Sequence, residues 1–149
     1  MPNWCEGILK IRGKNESLIN FLIEGLHPTY FDKAIHIEKD EYCYFINEIK
    51  ERPIKDVYRG FASSDGWIEL NREDEQSTIC LKAKFAWQIR ADQLLELCKK
   101  YKVDMSIYGF ERGGEFNQDI KIVGGEIIKD KFINFDDYKW ECINPIVGG

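Results

Sequence analysis

The chain has 149 residues, 44% of them apolar and 13% aromatic, with 26 acidic against 21 basic side chains and a formal charge of -5. This is the size of one ordinary domain with enough apolar side chains for a core. The mild acidity excludes a broad basic surface of the kind that grips nucleic acid by displacing counterions. No run approaches the ~18 apolar residues of a membrane span, and the N-terminus lacks the basic flank and apolar stretch of a signal peptide. A cytoplasmic protein is therefore expected, with its first ordered element starting at once.

Residues 5–12 read as a strand, with Cys5, Gly7, Leu9 and Ile11 on one face and Ile8 and Lys10 on the other. Gly13-Lys14-Asn15 breaks it, and Asn15 suits a helix N-cap. Leu18, Phe21, Leu22 and Leu26 then recur at helical spacing, which predicts a helix over 16–25 that stops at His27-Pro28. Residues 34–37 and 42–46 read as short strands, and 50–55 is polar and interrupted by Pro53. Ser63-Ser64-Asp65-Gly66 is a turn before a strand over 67–70. The clearest strand runs over 78–87, where Ile79, Leu81, Ala83, Phe85 and Trp87 alternate with Thr78, Cys80, Lys82, Lys84 and Ala86.

A second helix is predicted over 90–101, with Leu94, Leu95, Leu97, Cys98 and Tyr101 on its apolar face and Lys99, Lys100 and Lys102 at its C-terminal end, where they suit the helix dipole. A strand over 103–110 follows, then a loop at Gly113-Gly114, whose paired glycines are expected to supply positive φ. Residues 117–135 read as a hairpin turning at Gly124-Gly125. Residues 138–143 read as a closing edge strand able to pair with a second copy, and 144–149 as a loose tail. The order predicts an α+β domain over 1–149: a ferredoxin-like antiparallel sheet with two helices on one face and additional strands. Trp4, Leu9, Ile11, Phe21, Leu22, Leu81, Phe85, Leu94, Leu95, Cys98 and Ile107 are its expected core.

The five cysteines are odd in number, and no two stand at a C-x-x-C spacing, so they read as buried free thiols. Zinc held by distant cysteines with His27 or His36 lacks the paired spacing of structural sites, and no metal or cofactor is assigned. A Cys43–His36 dyad is the one nucleophilic pairing to weigh, against ordinary capping or exposed roles for both histidines. The metalloprotease, phosphate-loop, nucleophile-elbow and dinucleotide-binding patterns are all missing.

Three pieces, in order and spacing, resemble the YubB-like proteins of phages and plasmids. They are Pro2-Asn3-Trp4-Cys5 before a strand and Gly13, Ala86-Trp87 before a helix, and Phe110-Glu111-Arg112-Gly113 with Phe116 three residues on. The chain departs from that pattern in three ways. Gln88-Ile89-Arg90 follows the Ala-Trp where the family commonly has two prolines, Phe110 replaces a tyrosine, and Gln118 stands where the family has a glycine. The resemblance implies a ferredoxin-like domain from a mobile element. It implies no catalytic residues.

The leading functional expectation is a non-catalytic accessory protein in the bacterial cytoplasm. It would bind a host protein and inhibit a defence or nucleic-acid-processing complex. Its binding surface is placed at Trp87, Glu111, Arg112 and Trp67. Trp4, Trp67 and Trp87 read either as core or rim residues or as a platform for a flat ligand, which gives a nucleotide sensor as the second reading. A third is a tautomerase-like enzyme using the amine of Pro2 after loss of Met1. RNA recognition ranks low, because basic-flanked aromatic strand motifs are missing.

Overall fold

The computed structural model describes residues 2–29 and 34–146. β1 (Trp4–Gly13) is followed by α1 (Asn15–Glu24), then by β2 (Ile37–Lys39), β3 (Cys43–Ile46), β4 (Arg52–Pro53), β5 (Gly60–Ser63) and β6 (Ile68–Asn71). β7 (Ser77–Ala86), α2 (Ala91–Tyr101), β8 (Asp104–Glu111), β9 (Phe116–Val123), β10 (Glu126–Asn134) and α3 (Tyr138–Glu141) complete the order. Seven strands form one antiparallel sheet in the order β10-β9-β8-β1-β7-β5-β4, and β2-β3-β6 form a second, smaller one.

β1 lies between β7 and β8, with Leu9 opposite both Leu81 and Ile107. Because side chains alternate along a strand, this register sorts the sheet into two faces. Cys5, Leu9, Ile11, Ile79, Leu81, Phe85, Met105, Ile107, Ile120 and Ile122 are buried on one face, where Leu18, Phe21 and Leu22 of α1 and Leu94, Leu97 and Cys98 of α2 close over them. The two helices touch each other on this face. Phe21 meets Tyr101 edge-on, with ring centroids 5.6 Å apart.

Helix ends follow local chemistry. α1 begins after Lys14, not with an Asn15 cap: the Asn15 amide instead donates to the Asn71 carbonyl (2.8 Å), and its oxygen accepts from Ser77 Oγ (2.7 Å). α2 ends at Lys102 in the left-handed conformation (φ 57°), whose backbone N–H donates to the Cys98 carbonyl.

Four expectations are corrected. Residues 138–143 are not an edge strand. Asp137 Oδ1 accepts the Trp140 N–H, and Glu141 Oε2 accepts the N–H groups of Asp136 and Asp137, so a short third helix forms here instead. Its carbonyl at Glu141 accepts from Asn117 Nδ2 (3.3 Å), a side chain on the face opposite α1 and α2. The free edge is β10, blunted by Lys129, Asp130, Lys131 and a register shift between Ile127 and Lys129. Residues 60–63, unassigned by periodicity, form β5 beside β7.

The remaining two corrections concern the core and the cysteines. Trp4 is outside the core: its even position in β1 turns it to the open face, and Leu95 is only half-buried. Cys5, Cys98 and Cys142 are buried free thiols, but Cys43 is half-buried and Cys80 is exposed on the open face. The expected tail begins in described residues, where Ile146 is exposed, and its residues 147–149 lie outside them. No described helix is long and apolar enough to cross a membrane.

Candidate functional site: one end of the large sheet

Antiparallel pairing brings the start of β1, the end of β7, the end of β8 and the start of β9 to one end of the sheet. Trp4 pairs with Ala86, Cys5 with both Phe85 and Glu111, and Glu111 with Phe116. The three sequence motifs, far apart in the chain, thus form one cluster. The Trp87 N–H donates to the Asn3 carbonyl (2.8 Å). Gly113 packs against the exposed Asn3 side chain, which would have to move aside for a Cβ there. Neither Gly113 nor Gly114 has positive φ, contrary to expectation; the left-handed residue of this turn is Glu115 (φ 56°).

Glu111 was expected on the binding surface. It is 3% exposed, and its two carboxylate oxygens accept the N–H groups of Gly113 and Gly114, each at 2.6 Å. The carboxylate is committed to holding its own turn and is not presented to a partner. Arg112 is half-buried and donates from Nε to the Tyr138 hydroxyl (2.9 Å), which fastens α3 to this end. Trp67 is 66% exposed but lies just before β6 of the small sheet, its ring 5.7 Å from that of Phe45 on β3. Of the four expected residues, only Trp87 is both at this end and open to solvent, at 50% exposure.

Gln118 and Ile89 are fastened to each other. The Gln118 side chain accepts the Ile89 N–H (2.7 Å) and donates to the Ile89 carbonyl (3.0 Å), both buried. A proline at 89 would have no N–H for this pairing, and a glycine at 118 no side chain for it. Cys5 Sγ also points at Gln118 Oε1 (3.6 Å). Burial, and then the nearby Glu111 charge, push the Cys5 thiol up to about 12, so it stays protonated and inert at neutral pH.

Backbone strain gathers at the same end. Trp87 has φ 71°, and the Gln88 N–H donates across it to the Ala86 carbonyl (2.9 Å). This is a three-residue reversal in the rarer, strained hand, which a bulky residue adopts only when its surroundings over-determine it. Here the Asn3 carbonyl on one side and the Gln118–Ile89 pairing on the other hold it. Arg59 (φ 45°) and Asp56 (φ 59°) lie in the β4–β5 turn alongside, and the Arg59 carbonyl accepts the Ala86 N–H (3.2 Å).

Backbone bonds from Ala86 to Arg59 and from Trp87 to Asn3 bring two aromatic–arginine pairs to this end that the sequence did not single out. Tyr58 is 49% exposed, its N–H bonds Gln93 Oε1 (2.9 Å), and the Arg90 guanidinium lies 4.8 Å from its ring centroid. The Arg59 guanidinium stands 5.9 Å from the Trp4 ring. Among the described residues, neither Arg59 nor Arg90 has an acidic ion-pair partner. The available signal was the recurrence of arginine beside aromatic residues, Tyr58-Arg59 and Trp87 with Arg90, and only the fold makes those two dipeptide regions adjacent.

No three His, Cys, Asp or Glu side chains among the described residues converge as a metal site. Cys43 Sγ faces Glu69 (3.3 Å), and burial followed by that carboxylate pushes its thiol up, the opposite of nucleophile activation. Pro2 is half-buried beside this cluster, and Met1 lies outside the described residues. Comparison of the chain with protein-family models, with curated proteins and with solved structures gave no match.

Proposed function

We propose that this chain works by binding, that Tyr58, Arg59, Trp87 and Arg90 are its docking surface, and that the occupant is an acidic patch on a bacterial host protein. The observation that carries this reading is Trp87. A large aromatic is held half-exposed at φ 71° at the end of the sheet where Arg59 lies over the Trp4 ring and Arg90 over the Tyr58 ring, and neither arginine has an acidic partner among the described residues. Tryptophan, tyrosine and arginine dominate binding energy at protein interfaces, and a rigid anchor loses little entropy on docking. The unpaired guanidinium groups favour a carboxylate-bearing surface.

The spatial order β8-β1-β7-β5, with α1 between β1 and β5 and α2 between β7 and β8, supports a ferredoxin-like reading of the central part of the fold, with β4, β9, β10 and α3 as additions. Together with the Pro-Asn-Trp-Cys opening, this favours a phage or mobile-element accessory protein that blocks a host defence complex. The expected contribution of Glu111 is structural in this reading, and Trp67 takes no part in it.

The test is quantitative capture from host lysate by the wild-type chain, by Trp87→Ala and by Arg59→Glu/Arg90→Glu. One host protein should be retained by wild type and lost roughly 30-fold or more in both variants, the scale of an interface hot spot. Circular dichroism should show the variants folded. Equal retention by all three chains, or no retained protein at all, would sink the proposal.

A further inference from the structure

The face of the large sheet that α1 and α2 do not cover forms a groove of about 800 Å³. Its floor carries Ile8 and Tyr108, 47% and 45% exposed, in register across β1 and β8. Beside them, one cross-sheet row reads Lys121 on β9, Ser106 on β8, Lys10 on β1 and Cys80 on β7. We infer that this groove binds a nucleotide, with its phosphate over Ser106 between Lys10 and Lys121 and its base against Tyr108.

The geometry follows from strand spacing. Lys10 and Lys121 stand two strands apart, about 10 Å between Cα atoms, with the serine hydroxyl midway. Flexible four-carbon stems let both ammonium groups lean onto one anion there. Tyr108 is two residues along β8 on the same face, about 7 Å away. That is the reach from the phosphate of a nucleotide to its base, and the half-exposed ring gives the base a stacking surface.

The charges bear this out on all sides of the row. Among the described residues neither Lys10 nor Lys121 has an ion-pair partner. The acids nearby are already engaged: Asp104 by Arg12 (2.8 Å) and the Gly124 N–H, Asp119 by Lys129 (3.3 Å), and Glu51 by Lys84 (3.1 Å). Glu6 also lines the groove, further along β1, where it stands opposite Lys84 in backbone register with no ion pair among the described residues. The Trp4 and Phe61 rings are less available, because Lys84 Nζ sits 4.6 Å and 5.7 Å from their centroids and the two rings meet edge-on. Tyr108, with Phe110 two residues further along β8, and one cationic row suit a single nucleotide, and a volume of this order is that of a small-molecule site.

The phosphate end of the groove stands apart from the docking surface: Lys10 is six residues along β1 from Trp4, about 20 Å away. The other end, at Phe61 and Lys84, reaches the Trp4 ring that Arg59 also faces, so the variants at Lys10 and Lys121 and those at Arg59 and Arg90 test the two proposals separately. The experiment is a thermal-shift titration with AMP, CMP, GMP and UMP, beside inorganic phosphate, adenosine and an eight-residue oligothymidylate. Alkylation of Cys80 by iodoacetamide gives a second readout, because that exposed thiol lies directly opposite Lys10. At a hundredfold excess over Kd, at least one monophosphate should raise the melting temperature by roughly 5 °C or more and slow Cys80 alkylation. Lys10→Ala/Lys121→Ala should weaken that binding at least tenfold with the unliganded melting temperature unchanged. Tyr108→Leu should weaken the nucleotide but leave phosphate binding as it is. The inference is overturned if no monophosphate at 10 mM changes either readout, or if the shift survives in the double lysine variant. It is equally overturned if inorganic phosphate alone matches the nucleotides, or if the oligothymidylate binds more than tenfold tighter than any of them, which would make the groove a strand site.

Discussion

The two faces of the large sheet are built from the same strands and differ only in the parity of the residue. On β1, Leu9 and Ile11 are fully buried under the helices, while Ile8 and Lys10 between them line an open groove. On β7, Leu81 and Phe85 are buried while Cys80 and Lys82 face outward. An isoleucine on one face is structural and an isoleucine on the other is available to a ligand, although the two share a backbone. Apolar composition alone therefore says little about which side chains hold the fold. Burial decides it, because only area removed from water contributes.

The largest expected effect is on the covered face. Leu22→Ala removes a fully buried side chain where α1 meets the core and should cost about 2–5 kcal/mol. Ile8→Ala on the open face should change stability by less than about 0.5 kcal/mol. Urea denaturation of both variants measures the contrast, and equal losses would mean that the open face is packed in solution.

A smaller loss, about 1–3 kcal/mol, is expected for Glu111→Ala, which leaves the Gly113 and Gly114 N–H groups without their acceptor at a buried turn. Glu111→Gln should recover part of it, since the amide oxygen can still accept one of the two. A Glu111→Ala variant as stable as wild type would return this carboxylate to the list of surface groups.

The last effect is absent at neutral pH and confined to alkaline solution. Burial is the main cause that holds the Cys5 and Cys98 thiols up at about 12, with Glu111 and Asp104 adding to it respectively, against 9.0 for an unperturbed thiol. Both groups bind their protons more tightly in the folded chain. Their contribution is therefore fully present below pH 9 and is lost as pH rises from 9 towards 12, because the unfolded chain ionises first. The melting temperature should fall over pH 9–11, and more steeply in wild type than in Cys5→Ala/Cys98→Ala. Parallel curves for the two chains would remove the thiols from the account.

Periodicity in the sequence was enough to locate both long helices and the strands β1, β7 and β8, because each carries a local pattern: alternation where one face is buried, apolar residues three and four apart where a helix lies on a sheet. The hairpin of β9 and β10 was legible from its turn instead, since both Gly124 and Gly125 take positive φ (61° and 75°) that other residues resist. β5 was not legible, because Gly60-Phe61-Ala62-Ser63 is too short to carry a pattern and becomes a strand only by pairing with β7. The closing segment went the other way: residues 138–143 look strand-like in composition, but Asp137 and Glu141 cap a helix there.

The candidate site divides along the same line. The sequence by itself determined that Pro2-Asn3-Trp4-Cys5, Ala86-Trp87 and Phe110-Glu111-Arg112-Gly113 were unusual pieces. Only the tertiary structure decided that they are one cluster, that Glu111 turns inward to its own loop, and that Arg59 and Tyr58 come to stand beside Trp87. The physical reason is that a strand pattern fixes which face a side chain occupies, whereas the neighbour it meets there depends on register between segments up to a hundred residues apart, and that register is set by the packing of the whole core.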